Sequence, residues 1–158
     1  RQLSENVSMR NSIREAIENG MPSVAECGGF MYLHESMTDE EGENWPMAGV
    51  ITGNCHNRGK LVRFGYVNVT EQTSHFLAGK PLPRGSRIRA HEFHYYDSDN
   101  NGESCVAVKP VRGTSWTCIH EDDRNWWGYP HLYYPSNPAF VEHFVQAARL
   151  YHRERNAK

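Results

Sequence analysis

The sequence has no apolar run approaching the length of a bilayer-spanning helix and no signal-peptide pattern at its start. Neither membrane insertion nor secretion is expected, and a cytoplasmic location follows. It has no block of like charge: 17 basic and 19 acidic residues are interspersed and sum to a net charge of -2. That leaves no basic stripe for nucleic acid. Four cysteines, at 27, 55, 105 and 118, form no CxxC pair and no disulfide framework, so reduced thiols are expected. The sequons at 6–8 and 68–70 then read as chance matches. No GxxxxGK[ST] phosphate loop is present, and the four residues 57–60 (NRGK) are too short a match to count. Apolar residues are sparse as well, at 38% with a mean hydropathy of -0.74, so a single domain of 158 residues has a lean core and suits a partner-dependent role. The chain opens on Arg1 rather than Met, which suggests an upstream segment.

What is present alternates in texture. Residues 5–19 predict a helix with Met9, Ile13, Ala16 and Ile17 on its inner face and Gly20 as its stop. "MPSVA" predicts a short buried strand and "GGFMYLHES" a second helix; "TDEEGENW" reads as a polar loop. Helix, strand, tight turn and helix within 36 residues indicate an α/β fold with part of a parallel sheet. Beyond residue 47, "KLVRFGYVNVTE", "SRIRAHEFHYYDS", "SCVAVKPV" and "TSWTCIH" alternate as strands, antiparallel in part, and "NWWGYPHLYY" reads as an aromatic strand ending at "PSNP". A final helix begins at Asn137 and Pro138, with Phe140, Phe144, Ala147, Ala148 and Tyr151 as its buried stripe. No repeat or low-complexity tract interrupts the chain, so residues 1–158 are expected to form one domain.

Chemistry gathers at "AECGG". A strand, then Glu26-Cys27-Gly28-Gly29, then a helix is the layout of a nucleophile elbow, in which small residues let strand and helix approach around the bend. The helix N-terminus would favour the thiolate of Cys27, and the Gly28 N–H would point at a developing oxyanion. A buried structural cysteine before a glycine turn fits these residues equally well. A thiol nucleophile needs a base. Of nine histidines, His131 stands near the end of a strand just before a helix, where site residues of α/β sheets gather. Cys55, Cys105 and Cys118, in a loop and strands without an elbow, read as structural.

The blocks "NVSMRNSIREAIENGMPSVAECGGFMYLHESM", "GKLVRFGYVNV", "RIRAHEFHYY" and "GYPHLYYPSNPAF", in this order and spacing, strongly resemble the cobyrinic acid a,c-diamide synthase family. The likeness covers nearly the whole chain and falls on that family's C-terminal glutamine amidotransferase domain, of the triad type. The resemblance implies a flavodoxin-like α/β fold with a mixed sheet, truncated here at its N-terminus. It also implies that Cys27 is the nucleophile and His131 the histidine that activates it. The implied reaction is glutamine hydrolysis, with the ammonia passed to a carboxylate of a corrin, a tetrapyrrole, activated by ATP. ATP and Mg2+ are implied for the family's other domain, and no cofactor for this chain.

Relatives of this type carry glutamate or histidine two positions after the catalytic histidine, where this sequence has Tyr133. On a strand, Tyr133 would share a face with His131 and support it by a hydrogen bond without carrying a charge. The family's Gly-rich loop, which completes the oxyanion hole, precedes the first residue here, so weak glutaminase activity is expected of the chain alone. The stretch His91-Glu92-Phe93-His94 belongs to the resemblance and is placed near the cleft or a domain interface. Its strand alternation sets His91 and Phe93 on one face and Glu92 and His94 on the other, so no metal is assigned to it. Glu26 either orients the elbow or faces solvent. Trp126 and Trp127 read as core, with a pocket wall as the alternative, and Arg63 as a solvated strand residue or a contact for an acidic substrate. Two other functions stay open: amidation of a nickel sirohydrochlorin, and a non-catalytic binding module with the same fold.

Overall fold

The computed structural model describes residues 1–72 and 85–157, and between them the backbone of 75–77 and 80–82. Its elements in chain order are α1 (Gln2–Glu5), α2 (Val7–Glu18), β1 (Ser23–Glu26), α3 (Gly28–Leu33), β2 (His34–Thr38), β3 (Asn44–Pro46), β4 (Ile51–Asn57) and β5 (Arg63–Glu71). There follow β6 (His75–Leu77), β7 (Lys80–Leu82), β8 (Arg87–His94), β9 (Tyr96–Ser98), β10 (Cys105–Val108), β11 (Ser115–Cys118), β12 (His120–Glu121), β13 (Asn125–Gly128) and β14 (His131–Leu132). A 3-10 turn over Tyr134–Ser136 leads into α4 (Pro138–Asn156).

The fold is mixed α/β. Three sheets frame it, in the orders β1-β13-β12, β11-β10-β5-β8-β14 and β3-β2-β4-β9, with β6 and β7 as a separate hairpin. Parallel pairing joins β1 to β13 and β2 to β4; the five-stranded sheet is antiparallel throughout. Alternation explains β8, whose Ile88, Ala90, Glu92 and His94 are buried while Arg87, Arg89, His91 and Phe93 face out. One core lies behind the long sheet, around Val67, Val69, Ile88, Ala90 and Ile119. The second joins α2 and α3 to the shorter sheets through Ile17, Phe30, Leu33, Ile51, Trp127 and Tyr129.

With Glu5 ending the preceding short helix α1, the helix expected over 5–19 forms as α2. The Asn6 side chain caps it by accepting the Met9 N–H at 3.0 Å, Ile17 is buried, and Gly20 ends it with a φ of 82°. Met9, however, lies outside the buried face and is exposed.

Elsewhere the structure corrects the sequence reading. The second helix stops at Leu33 and residues 34–38 continue as a strand. The cause is His34, fully buried, with Nδ1 3.0 Å from the Phe30 carbonyl and Nε2 2.7 Å from Ser98 Oγ. The polar loop contains strand β3, held by the Asp39 carboxylate, which accepts the Glu43 N–H at 2.8 Å and the Trp45 indole N–H at 2.6 Å. Cys55 is buried within β4, not in a loop.

The aromatic strand is two strands. Pro130, which lacks an N–H, separates β13 in one sheet from β14 in another. On α4 only Ala147 is buried; Phe140, Phe144 and Tyr151 are half-buried and Ala148 is exposed. Asn137 does not cap α4 through its side chain, which donates instead to the Arg87 carbonyl at 3.3 Å.

Candidate active site

Cys27 sits between β1 and α3 with φ 47° and ψ -104°, a left-handed backbone that non-glycine residues seldom adopt. Its N–H donates to the Gly128 carbonyl at 2.9 Å and its carbonyl accepts the Met31 N–H at 2.9 Å, so strand pairing and helix both hold the bend. Strain maintained from both sides is what an elbow requires. The glycines act differently from the expectation. A Cβ at Gly29 would stand 3.7 Å from Ala25 Cβ, ordinary contact, and one at Gly28 would meet nothing within 4 Å. Close helix–strand packing therefore does not demand them, and the space over Gly28 is open to an approaching group.

The thiol is half-buried, and burial pushes its pKa up. The Gly28 N–H favours the thiolate, but burial outweighs it, and the Glu92 and Glu26 carboxylates raise the pKa further. A helix of six residues has too small a dipole to reverse this, so the resting sulfur is the thiol. The other three thiols are buried, and burial raises Cys55 to about 11 and Cys118 to about 12. Cys105 is pushed up furthest, by burial and then by Glu121.

Glu26, the last residue of β1, reaches across to the segment around His131. Its carboxylate accepts the Leu132 backbone N–H at 3.2 Å and the Tyr134 hydroxyl. Burial and this carboxylate together push the Tyr134 pKa up. Because β13 runs parallel to β1, with Glu26 opposite Gly128, Cys27 and the Tyr129–His131 turn leave their strands at the same end. His131 then pairs with His91 across β14 and β8, its ring exposed. No hydrogen bond joins the Cys27 thiol to the His131 ring among the described residues; the segments that carry them are joined by Glu26, through Leu132 and Tyr134.

Tyr133 lies just past β14 with φ -91° and ψ 84°, so strand alternation ends before it, and its side chain is exposed. It lines with His131 and His91 an open groove of ≈ 770 Å³ on the outer face of the long sheet. Glu92 and His94 point the other way, 1% and 3% exposed. Burial pushes Glu92 up to about 7 against the opposing pull of Arg63 and Lys109, and the Trp116 indole N–H faces it outside hydrogen-bonding geometry. Arg63 stacks over Trp116 at 4.8 Å and stands 3.9 Å from Asp97, which accounts for it without a substrate. His94 donates from Nδ1 to the Tyr96 carbonyl at 2.6 Å and stacks on Tyr129 with centroids 3.9 Å apart. Burial lowers its pKa, so it is the neutral imidazole.

Among the described residues no group of three or more His, Cys, Asp or Glu is arranged to hold a metal, and no helix is long and apolar enough to cross a membrane. Tyr134 and the backbone of Leu132 are site residues that sequence reasoning missed. Both lie in the singled-out block "HLYYPSNP", but a contact 106 to 108 residues away in the chain leaves no periodic signal.

A strained cysteine between strand and helix, tied by the preceding carboxylate to the segment bearing an exposed histidine, marks an α/β domain with a cysteine elbow. Residues 1–139 match the family described as the CobB/CobQ-like glutamine amidotransferase domain, and the chain belongs to that family. Among curated proteins it is 40% identical over 126 residues to the cobyrinate a,c-diamide synthase of Caldanaerobacter subterraneus subsp. tengcongensis, a match covering 77% of this chain and 27% of that protein. The synthase of Listeria innocua is 33% identical over 153 residues, covering 94% of this chain and 33% of that protein. That of Salmonella typhimurium is 32% identical over 151 residues, covering 93% and 32%. The chain thus spans about a third or less of the length of these relatives.

Proposed function

We propose that this chain is the glutamine-hydrolysing part of an ATP-dependent cobyrinic acid a,c-diamide synthase, acting in cobalamin biosynthesis. It would release ammonia for amidation of corrin carboxylates. The observation that carries the reading is the left-handed Cys27 elbow, tied through Glu26 to the segment bearing His131.

In this reading the resting thiol gives its proton to the His131 imidazole as the sulfur attacks the side-chain amide carbon of glutamine. The carbonyl oxygen becomes an oxyanion, and the Gly28 N–H, above which space is open, donates to it. The imidazolium returns its proton to the departing nitrogen and ammonia leaves. Water then attacks the thioester, His131 takes its proton, and glutamate and the thiol are regenerated. Because burial holds the Cys27 pKa up, proton transfer to His131 is a required step rather than a refinement. Tyr133, beside His131 on the groove, acts as an uncharged support.

ATP and Mg2+ would serve the amidation step. The residues here do not fit them: there is no phosphate-loop sequence and, among the described residues, no carboxylate cluster for the cation.

The test is a diazo-ketone analogue of glutamine, which alkylates a nucleophile only from the glutamine site. Mass mapping is expected to find the label on Cys27 alone. Equal labelling of all four cysteines, or none, would overturn the reading in favour of a non-catalytic module.

A further inference from the structure

The groove beside His131 carries cationic side chains that take no part in the proton transfers of glutamine hydrolysis. Around its rim stand Arg87, Arg89, His91, His131, Tyr66 and Tyr133, over a floor that includes Ala90 and Leu132. A second depression continues it past Arg87, Arg89 and Tyr133 toward Ser136. Among the described residues no aspartate or glutamate lines either part, and neither guanidinium is ion-paired. Two guanidiniums and two imidazoles thus share an acid-free groove with the candidate base, His131.

The arginines are also held in place. Arg87, Arg89 and His91 fall on one face of β8 by strand alternation, and His91 lies opposite His131 in register. The backbone of Arg89 donates to Ser136 Oγ at 2.9 Å and accepts the Tyr133 N–H at 2.8 Å, while the Arg87 carbonyl accepts from Asn137 Nδ2 at 3.3 Å. The five residues after Leu132 therefore clamp β8 at both arginines. The His91 ring stands edge-on to Tyr66 at 5.2 Å, giving the rim an aromatic wall.

We propose that this groove is a carboxylate-recognition site, with Arg87 and Arg89 receiving the carboxylate and Tyr66 and Tyr133 flanking the body that bears it. Guanidinium is the side chain suited to planar, two-point recognition of carboxylate. The site rests on the reading of the chain as an amidotransferase, which supplies two carboxylate sources: the α-carboxylate of glutamine and the acid side chains of a macrocyclic acceptor. The groove, ≈ 770 Å³ and open along the outer face of the sheet, has room for the larger of the two, and the macrocycle is the ligand we assign to it.

Binding at equilibrium separates the sources without needing turnover. The chain carrying Cys27→Ala is titrated with uroporphyrin, a planar macrocycle with carboxylate arms, with its uncharged methyl ester as control, and separately with glutamine. Each titration is repeated after adding Arg87→Gln and Arg89→Gln, with circular dichroism to confirm folding and Arg87→Lys with Arg89→Lys as the charge-retaining pair. The acid is expected to bind and the ester not to, and the glutamine-substituted pair is expected to weaken the acid about tenfold, with partial recovery in the lysine pair. Glutamine affinity is expected to stay unchanged. A tenfold loss for glutamine instead supports the carboxylate site and assigns it to the amino acid. No change in either titration, or equal binding of acid and ester, overturns the proposal. Because every titration uses the Cys27→Ala chain, failure of glutamine hydrolysis and failure of this site are read separately.

Discussion

The carboxylate of Glu26 accepts the backbone N–H of Leu132 at 3.2 Å, joining the residue before the elbow cysteine to the residue after the candidate base. The same carboxylate takes the Tyr134 hydroxyl. One side chain thus sets the spacing between two segments that lie in different sheets.

Removing that tether separates the segments. Glu26→Ala leaves the Leu132 N–H and the Tyr134 hydroxyl without their partner and is expected to cost about 1–3 kcal/mol in urea unfolding. If the proposed function holds, it is also expected to lower kcat for glutamine hydrolysis about tenfold or more while KM changes little, since the segment bearing the candidate base is released. Tyr134→Phe removes one bond and should cost about 1 kcal/mol with a smaller kinetic effect. A Glu26→Ala chain with unaltered kcat would show that the tether is only structural.

The elbow makes a separate claim about strain. At φ 47° any side chain at position 27 is disfavoured, so Cys27→Gly should be about 1 kcal/mol more stable than Cys27→Ala by chemical denaturation. Both are expected to lose at least about 10³ in glutaminase rate. With burial holding the thiol up, its alkylation by iodoacetamide should keep rising with pH beyond the ordinary thiol range. A plateau near neutral pH would contradict the resting thiol.

Acid–base linkage provides a third measurement. Burial raises the pKa values of Glu71 and Glu121, and the shared bond, in which Glu121 holds the proton and Glu71 accepts, raises Glu121 further. The Cys105 thiol packs against Glu121 at 3.6 Å and Asp122 adds its charge nearby. A carboxyl raised in the fold keeps a proton that the unfolded chain gives up. Its stabilisation is full below the unfolded carboxylate range and is lost as pH rises through the folded value. Glu92, at about 7, acts with the same sign. The Tm is therefore expected to fall between pH about 5 and about 8, and Glu121→Gln should flatten that fall. A Tm that rises over this window would refute the assignment.

A backbone approach near β12 provides the fourth. Gly102 has a φ of 77°, and a Cβ there would lie 2.3 Å from the Ile119 carbonyl carbon and oxygen and 2.5 Å from the His120 nitrogen. These are backbone atoms that cannot step aside. Gly102→Ala is expected to destabilise the chain by about 2–3 kcal/mol or more, measured by urea unfolding. Gly28→Ala, with open space around it, should be near neutral for stability while slowing hydrolysis by crowding the oxyanion position.

Legibility in the sequence followed the range of the forces involved. The inward and outward faces of "RIRAHEFHYY" could be read directly, because alternation is a property of the strand itself, and His91 and His94 do diverge. The capped start and glycine stop of α2 are equally local. The end of α3 at Leu33 was not legible, since His34 is drawn into a strand by Ser98, 64 residues away. The expected stripe on α4 failed for a related reason. Apolar spacing shows which face can be buried, but the neighbouring sheet covers only Ala147 fully. At the site, Cys27 announced itself through its glycines, whereas its raised pKa depends on burial and on Glu92 from another sheet. The groove arginines drew no notice, because an exposed strand arginine looks the same whether it faces bulk water or lines a recess.

By itself the sequence determined the α/β texture, the strand–cysteine–helix bend and the two faces of β8, all consequences of backbone periodicity and of turn chemistry over a few residues. Only the tertiary structure decided that Pro130 would divide one aromatic run between two sheets, that Glu26 would bridge them, and that Arg87 and Arg89 would share a recess with His131. Those outcomes come from pairing residues 40 or more positions apart, where contact is set by the packing of whole sheets and no local pattern encodes it.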